Sequence, residues 1–178
     1  MTLLMWQQTQ ATATAPAAYL IMTDTLAVEG VSGTPALFEC KLHPMLHRDM
    51  IMMGTGNLGL SRKWARWLEV QPVYDLEMLN ILAPAVLRQM WEELLAECDE
   101  LRAGRLGTGS STTIYHFTIS QGRARTYIYR STSDFEAEVD EDDGQYQKPY
   151  FGQRADDPDS GMFMPFATIE EMIDAACR

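Results

Sequence analysis

Apolar and polar positions change period twice along the chain. In the first third the apolar residues come in short runs, at residues 2–7, 17–22, 36–42 and 49–53, separated by turn-rich segments. Runs of that length, bounded by Gly, Pro and Thr, predict strands. The run Ala17-Ala18-Tyr19-Leu20-Ile21-Met22 is apolar on both faces, which suits a strand covered on both sides in a layered α/β protein. Residues 9–16 are Thr- and Ala-rich and end in Pro16, and residues 30–35 read GVSGTP; both predict turns or loops. Residues 36–42 alternate, with Leu37, Glu39, Lys41 and His43 on one face and Phe38, Cys40 and Leu42 on the other.

The middle of the chain has helical spacing. Leu60, Trp64, Trp67 and Leu68 form one apolar stripe opposite Arg62, Lys63 and Arg66, and Pro72 stops it. Asp75 is the expected N-cap of a second helix, which Pro84 either kinks or opens. Leu87, Met90, Trp91, Leu94, Cys98 and Leu101 form its stripe, Glu92, Glu93, Glu97 and Glu100 face water, and Gly104 ends it. Strands then return at 112–120 and 123–130, where Gln121-Gly122 predicts a hairpin. The polar stretch up to Gly161 predicts a loop, and Thr168-Ile169-Glu170-Glu171 is a capping box opening a last helix to about Cys177.

Composition narrows the classes. A chain of 178 residues fits a single domain over 1–178. With 25 acids against 14 bases the net charge is −11, which opposes nucleic acid and anionic membranes as partners. The apolar runs are far shorter than the roughly 20 residues of a membrane span. The absence of Lys or Arg before Lys41 does not match a signal peptide, and the odd set Cys40, Cys98 and Cys177 predicts reduced thiols; both point to the cytoplasm. Much of the acid lies between Asp134 and Asp143, where a solvated loop is the simplest reading.

Strands, two helices and strands again is a distinctive order. Within it, Ala18-Tyr19-Leu20-Ile21-Met22-Thr23-Asp24-Thr25-Leu26 resembles the second strand of proteasome-type subunits, which ends in an aspartate. Lys41 stands at about the interval of that family's catalytic lysine. Gly54-Thr55-Gly56 resembles the small-residue turn that opens its first helix. The resemblance covers roughly residues 2–130. It implies an α+β four-layer αββα sandwich and an N-terminal-nucleophile hydrolase that needs no cofactor, cleaves a peptide or other amide, and assembles with copies of itself, a ring being the family's form.

The chemistry gives each residue type a reason. The nucleophile is the hydroxyl of the first residue, here Thr2 once Met1 is removed, and its own α-amine, with a pKa near 8, accepts the proton. The resemblance assigns Lys41 the positive charge beside the nucleophile, Asp24 the orientation of that lysine, and the Gly54 N–H the oxyanion. Ser110, Ser111 and Asp134 are candidate counterparts of the family's later serine and aspartate. A catalytically silent copy of the fold, serving as an assembly or binding scaffold, is the alternative.

Other motifs compete for the same residues. Gly54-Thr55-Gly56-Asn57-Leu58-Gly59 is a literal G-x-G-x-x-G after an apolar strand and before a helix, the context of a dinucleotide fingerprint. A second parallel strand ending in an acid should follow, and the chain offers only Pro72-Val73-Tyr74-Asp75. Cys40, His43 and His47 have zinc-like spacing without a fourth ligand, and Cys40 and His43 fall on opposite faces of a strand. His116, between Tyr115 and Phe117, reads as a packed or hydrogen-bonded strand histidine.

Overall fold

The computed structural model describes residues 4–23, 26–28, 35–71, 76–105 and 111–148. Among the described residues ten strands and three helices run in the order β1 (Leu4–Thr9), β2 (Ala18–Thr23), β3 (Leu26–Val28), β4 (Pro35–Phe38), β5 (Leu42–Met45), β6 (Met50–Gly56), α1 (Leu58–Val70), α2 (Leu76–Glu97), the single turn α3 (Asp99–Arg102), β7 (Thr112–Ser120), β8 (Arg123–Arg130), β9 (Ala137–Asp140) and β10 (Gly144–Lys148). The protein is thus mixed α+β. One sheet has five strands in the order β5-β6-β7-β8-β9 and another three in the order β10-β1-β2, while β3 and β4 form a separate ladder. Every strand pair among the described residues is antiparallel.

The five-stranded sheet is covered on both faces because its central strands β6, β7 and β8 are apolar on both. Met50, Met52, Ile114, Tyr127 and Tyr129 join Leu60, Trp64, Leu68, Leu79 and Leu87 of α1 and α2 in one core. The alternate residues Met53, Tyr115, Phe117 and Ile128 meet Leu4 and Trp6 of β1 in a second core. Helices, five-stranded sheet and three-stranded sheet are therefore three successive layers. Each fully buried large apolar side chain contributes about 1.5–3 kcal/mol through water exclusion, so the two cores together dominate stability.

Local chemistry fixes the helix ends. Asn57 caps α1 by accepting the Leu60 N–H at 3.1 Å. At the other end Arg48, from the 3-10 turn Leu46–Arg48, donates to the carbonyls of Leu68 at 2.7 Å and Gln71 at 2.5 Å. A guanidinium there satisfies orphan carbonyls and faces the negative end of the helix dipole. The β7–β8 hairpin turns on Gln121 and Gly122, both at positive φ (52° and 74°), the conformation of a tight hairpin turn.

Three expectations are revised, and the two alternatives for Pro84 are narrowed to one. Residues 36–42 are not one strand: β4 ends at Phe38 and pairs with β3, whereas β5 begins at Leu42 and pairs with β6. The polar stretch after residue 130 contains β9 and β10, which pair with β8 and β1. Their exposed or polar side chains hide them from any hydrophobic pattern; β9 is an edge strand fastened by the Arg130–Glu138 ion pair. Pro84 stands inside α2, which begins at Leu76. Gly54, Thr55 and Gly56 all belong to β6, and Asn57 alone stands between that strand and α1. The last helix, Pro72 and Asp75 lie outside the described residues.

Candidate active site at one end of the two sheets

Contacts between the two sheets set the level of β1 against its neighbours. The Gln10 side chain exchanges hydrogen bonds with Ala124, donating to its carbonyl at 2.7 Å and accepting its N–H at 2.8 Å. Gln8 accepts the Thr126 hydroxyl at 2.7 Å. The Trp6 ring lies 5.3 Å from Tyr115 and 5.6 Å from Phe117. Moving from Gln10 toward Leu4 therefore advances along β8 and retreats along β7 toward Thr113, which pairs with Arg130. Thr55 pairs with Thr113 and Gly54 with Ile114, so the end of β6 stands at the same level. The outermost β5–β6 pair there is Leu42 with Met53, and Lys41 and Gly54 are the next residues outward.

One end of the sandwich thus gathers the start of β1, the end of β2, the start of β5 and the end of β6. Thr2 and Asp24 lie outside the described residues. Their nearest described neighbours are Leu4 and Thr23, which pair with each other in the β1–β2 ladder. Lys41 is only 4% exposed, an unusual state for a lysine. Gly54 is buried against α1, and a Cβ built on it would lie 1.8 Å from Ser61 Oγ. Gly56 has φ +89°, and its Cβ would lie 2.0 Å from the Ser111 carbonyl, so the turn from β6 into α1 admits only glycine.

The surroundings are polar and buried. Thr55, Thr112 and Thr113 are each under 5% exposed, and Thr112 donates to the Thr55 carbonyl at 3.1 Å. Burial pushes the Tyr115 phenol up to about 12, while Arg130 and the Thr55 and Thr113 hydroxyls pull the other way. Tyr115 stays a neutral phenol at any working pH. The Asn57 cap puts the N-terminus of α1, with its partial positive charge, beside Gly56. Glu39 is held below the usual carboxylate range, chiefly by its hydrogen bonds with Arg62 and also by the Arg62, His43 and Lys41 charges, against the opposing effect of burial.

The other candidates separate. Ser111 is exposed just before β7, Ser110 lies outside the described residues, and Asp134 pairs with Arg88 of α2. His116 is fully buried under α1 and takes the Trp64 N–H. Cys40 is exposed and donates to the Leu42 carbonyl at 3.3 Å, and among the described residues no group of three or more His, Cys, Asp or Glu could hold a metal ion. α1 is followed by α2, and β6 has antiparallel neighbours, so G-x-G-x-x-G here is not part of a described parallel βαβ unit. A cavity of about 420 Å³ lined by Gln10, Gln121, Arg123 and Glu141 sits at the opposite end of the sheets. Among the described residues no helix is long and apolar enough to cross a membrane.

Sequence reading missed Glu39, Ser61 and Arg62. Arg62 sits on a basic helix face that solvation alone explains, and its ion pair with Glu39 joins residues 23 apart in sequence. Comparison with protein-family models finds no matching family, and comparison with curated proteins finds no matching relative.

Proposed function

We propose that the chain is an N-terminal-nucleophile hydrolase of the four-layer αββα type, cleaving amide bonds with Thr2 after removal of Met1. The observation that carries this reading is the common level of Leu4, Thr23, Lys41 and Gly54. Lys41 and Gly54 stand at one end of two different sheets together with Leu4 and Thr23, the described residues nearest in sequence to Thr2 and Asp24. That end is also polar, buried and next to a helix N-terminus, the setting in which developing negative charge is best stabilised.

In this mechanism the Thr2 α-amine takes the proton from Thr2 Oγ1 as the oxygen attacks the amide carbonyl carbon. The carbonyl π electrons move to oxygen, and the Gly54 N–H stabilises that oxyanion. Collapse breaks the C–N bond, and the leaving amine departs with the proton from the α-ammonium. Water then attacks the threonyl ester, assisted by the same amine, and releases the acid. Lys41 supplies positive charge near the reacting oxygen, and Asp24 orients it. On this reading the substrate is a peptide or related amide, no cofactor enters, and the working form is an assembly of identical chains. Exposed Leu46, Val70, Met78 and Ile81 support such an assembly.

Intact mass before and after exposure to an amide-mimicking electrophile tests the proposal. Loss of one methionine with a single adduct, absent from Thr2→Ala, is the expected result. A protein that retains Met1 and gains no adduct overturns it and leaves a noncatalytic scaffold as the reading of the fold.

A further inference from the structure

We infer that Arg62 is a positioning residue that fixes Lys41 against the candidate site. Lys41 belongs to the segment 39–41, which lies between β4 and β5 and outside both ladders. The β5–β6 ladder therefore holds its neighbour Leu42 and sets its level, but not the residue itself, which is almost fully buried. Two residues earlier, Glu39 receives both arms of the Arg62 guanidinium: Nε donates to Oε1 at 2.9 Å and Nη2 donates to Oε2. A planar fork on a carboxylate fixes orientation as well as distance.

The neighbouring residue of α1 does the matching work on the other strand. Ser61 Oγ fills the space of the missing Gly54 side chain and donates to the Asn57 carbonyl at 3.2 Å. One turn of α1 thus holds Glu39 through Arg62 and abuts Gly54 through Ser61. The helix is itself immobilised by fully buried Leu60, Trp64 and Leu68. Lys41 comes from the segment between β4 and β5 and Gly54 from β6, and α1 is the common gauge that sets their separation. An exposed ion pair adds little to global stability, so its effect is local placement.

The test is brief acetylation of the folded full chain, with Lys41 modification measured by peptide mass spectrometry against Lys63 as internal reference. In Arg62→Ala and in Glu39→Gln, Lys41 is expected to react at least fivefold faster than in wild type. Arg62→Lys keeps charge without the fork and should fall between. The exchanged pair Glu39→Arg/Arg62→Glu should restore protection, which a simple loss of packing would not. Unchanged Lys41 reactivity in folded Arg62→Ala, or an exchanged pair as reactive as Arg62→Ala, overturns the inference. Its catalytic consequence rests on the hydrolase reading: the rate of Thr2 acylation should drop about tenfold in Arg62→Ala. Failure of wild-type Thr2 to react would defeat that reading alone, because the Lys41 measurement still decides the placement.

Discussion

The indole N–H of Trp64 donates to Nε2 of His116 across 2.9 Å, with the two rings 4° from parallel. Nε2 is therefore the bare nitrogen, and the neutral ring carries its proton on Nδ1, a buried atom without a hydrogen-bond partner. A second proton at Nε2 would face the indole proton directly. Burial first, and the Arg48 charge second, push the His116 pKa down to about 3.

Acid should destabilise the protein through this histidine before its carboxylates matter. The unfolded imidazole titrates near 6.5, so below that pH the unfolded chain binds a proton that the folded chain refuses. The His116 contribution is complete above pH 6.5 and is lost as pH falls toward 3, at up to about 1.4 kcal/mol per pH unit. Urea midpoints between pH 7 and 5 should fall in wild type and stay flatter in His116→Gln. Equal slopes would show that His116 ionises freely in the folded protein.

Arg48 should matter more than an exposed arginine. Its guanidinium closes the C-terminus of α1 on Leu68 and Gln71, and charged hydrogen bonds of this kind contribute about 1.5–3 kcal/mol. Arg48→Ala should lower the thermal midpoint by several degrees. Arg48→Lys should recover only part, since it lacks the Nε–H that also donates to the Leu68 carbonyl at 3.2 Å. A lysine variant as stable as wild type would show that charge at the helix end suffices.

Gly54 and Ser61 should behave as a coupled pair. Gly54→Ala brings a methyl group onto Ser61 Oγ and is expected to cost about 1–3 kcal/mol by overpacking. Ser61→Gly opens that space at a helix-propensity cost of about 0.5 kcal/mol. The double variant should be more stable than the sum of the two single losses, read from denaturant midpoints as a double-mutant cycle. Additive losses would mean that the strand shifts away from the helix instead.

Gln8 should be the most sensitive polar residue between the sheets. It is fully buried, accepts the hydroxyls of Tyr19 at 2.9 Å and Thr126 at 2.7 Å, and donates to the carbonyls of Asp140 and Asp142. Gln8→Leu strands those partners and should cost about 2–4 kcal/mol, since each buried group left unpaired costs about 1–3. Thr126→Val added to Gln8→Leu should return part of that loss. Hydrogen exchange at β1 and β9 would show whether the two strands loosen together.

The helical pair and the β7–β8 hairpin were legible because their signals are local. Leu60, Trp64 and Leu68 recur at helical spacing and are the residues that bury, and Gln121-Gly122 joins two alternating runs. The strands β9 and β10 were not legible, since a ladder at an edge is held by backbone groups and ion pairs that leave no apolar trace. The break between β4 and β5 was hidden by an unbroken alternation, which the Glu39–Arg62 contact interrupts. Of the candidate site, Lys41 and Gly54 were named from residue order, and their shared level follows from the β5–β6 register. What positions them could not be read, because Arg62 differs from Arg66 on the same helix face only by what stands opposite it.

The first described strand has one partner close in sequence and one at great distance. β1 is flanked by β2 and by β10, with Leu4 opposite both Thr23 and Lys148. On the ribosome the β1–β2 hairpin emerges early, yet its sheet gains its third strand only when β10 has been made. Pairings of such long range are slow to form, and an unfinished edge is prone to wrong partners meanwhile. The helices and strands β5–β8 are complete in one continuous stretch and can assemble around the Trp64 core first. Leu4, two residues after the proposed nucleophile, would then be flanked on both sides only after β10 has been made, so a shorter nascent chain leaves that end of β1 half paired.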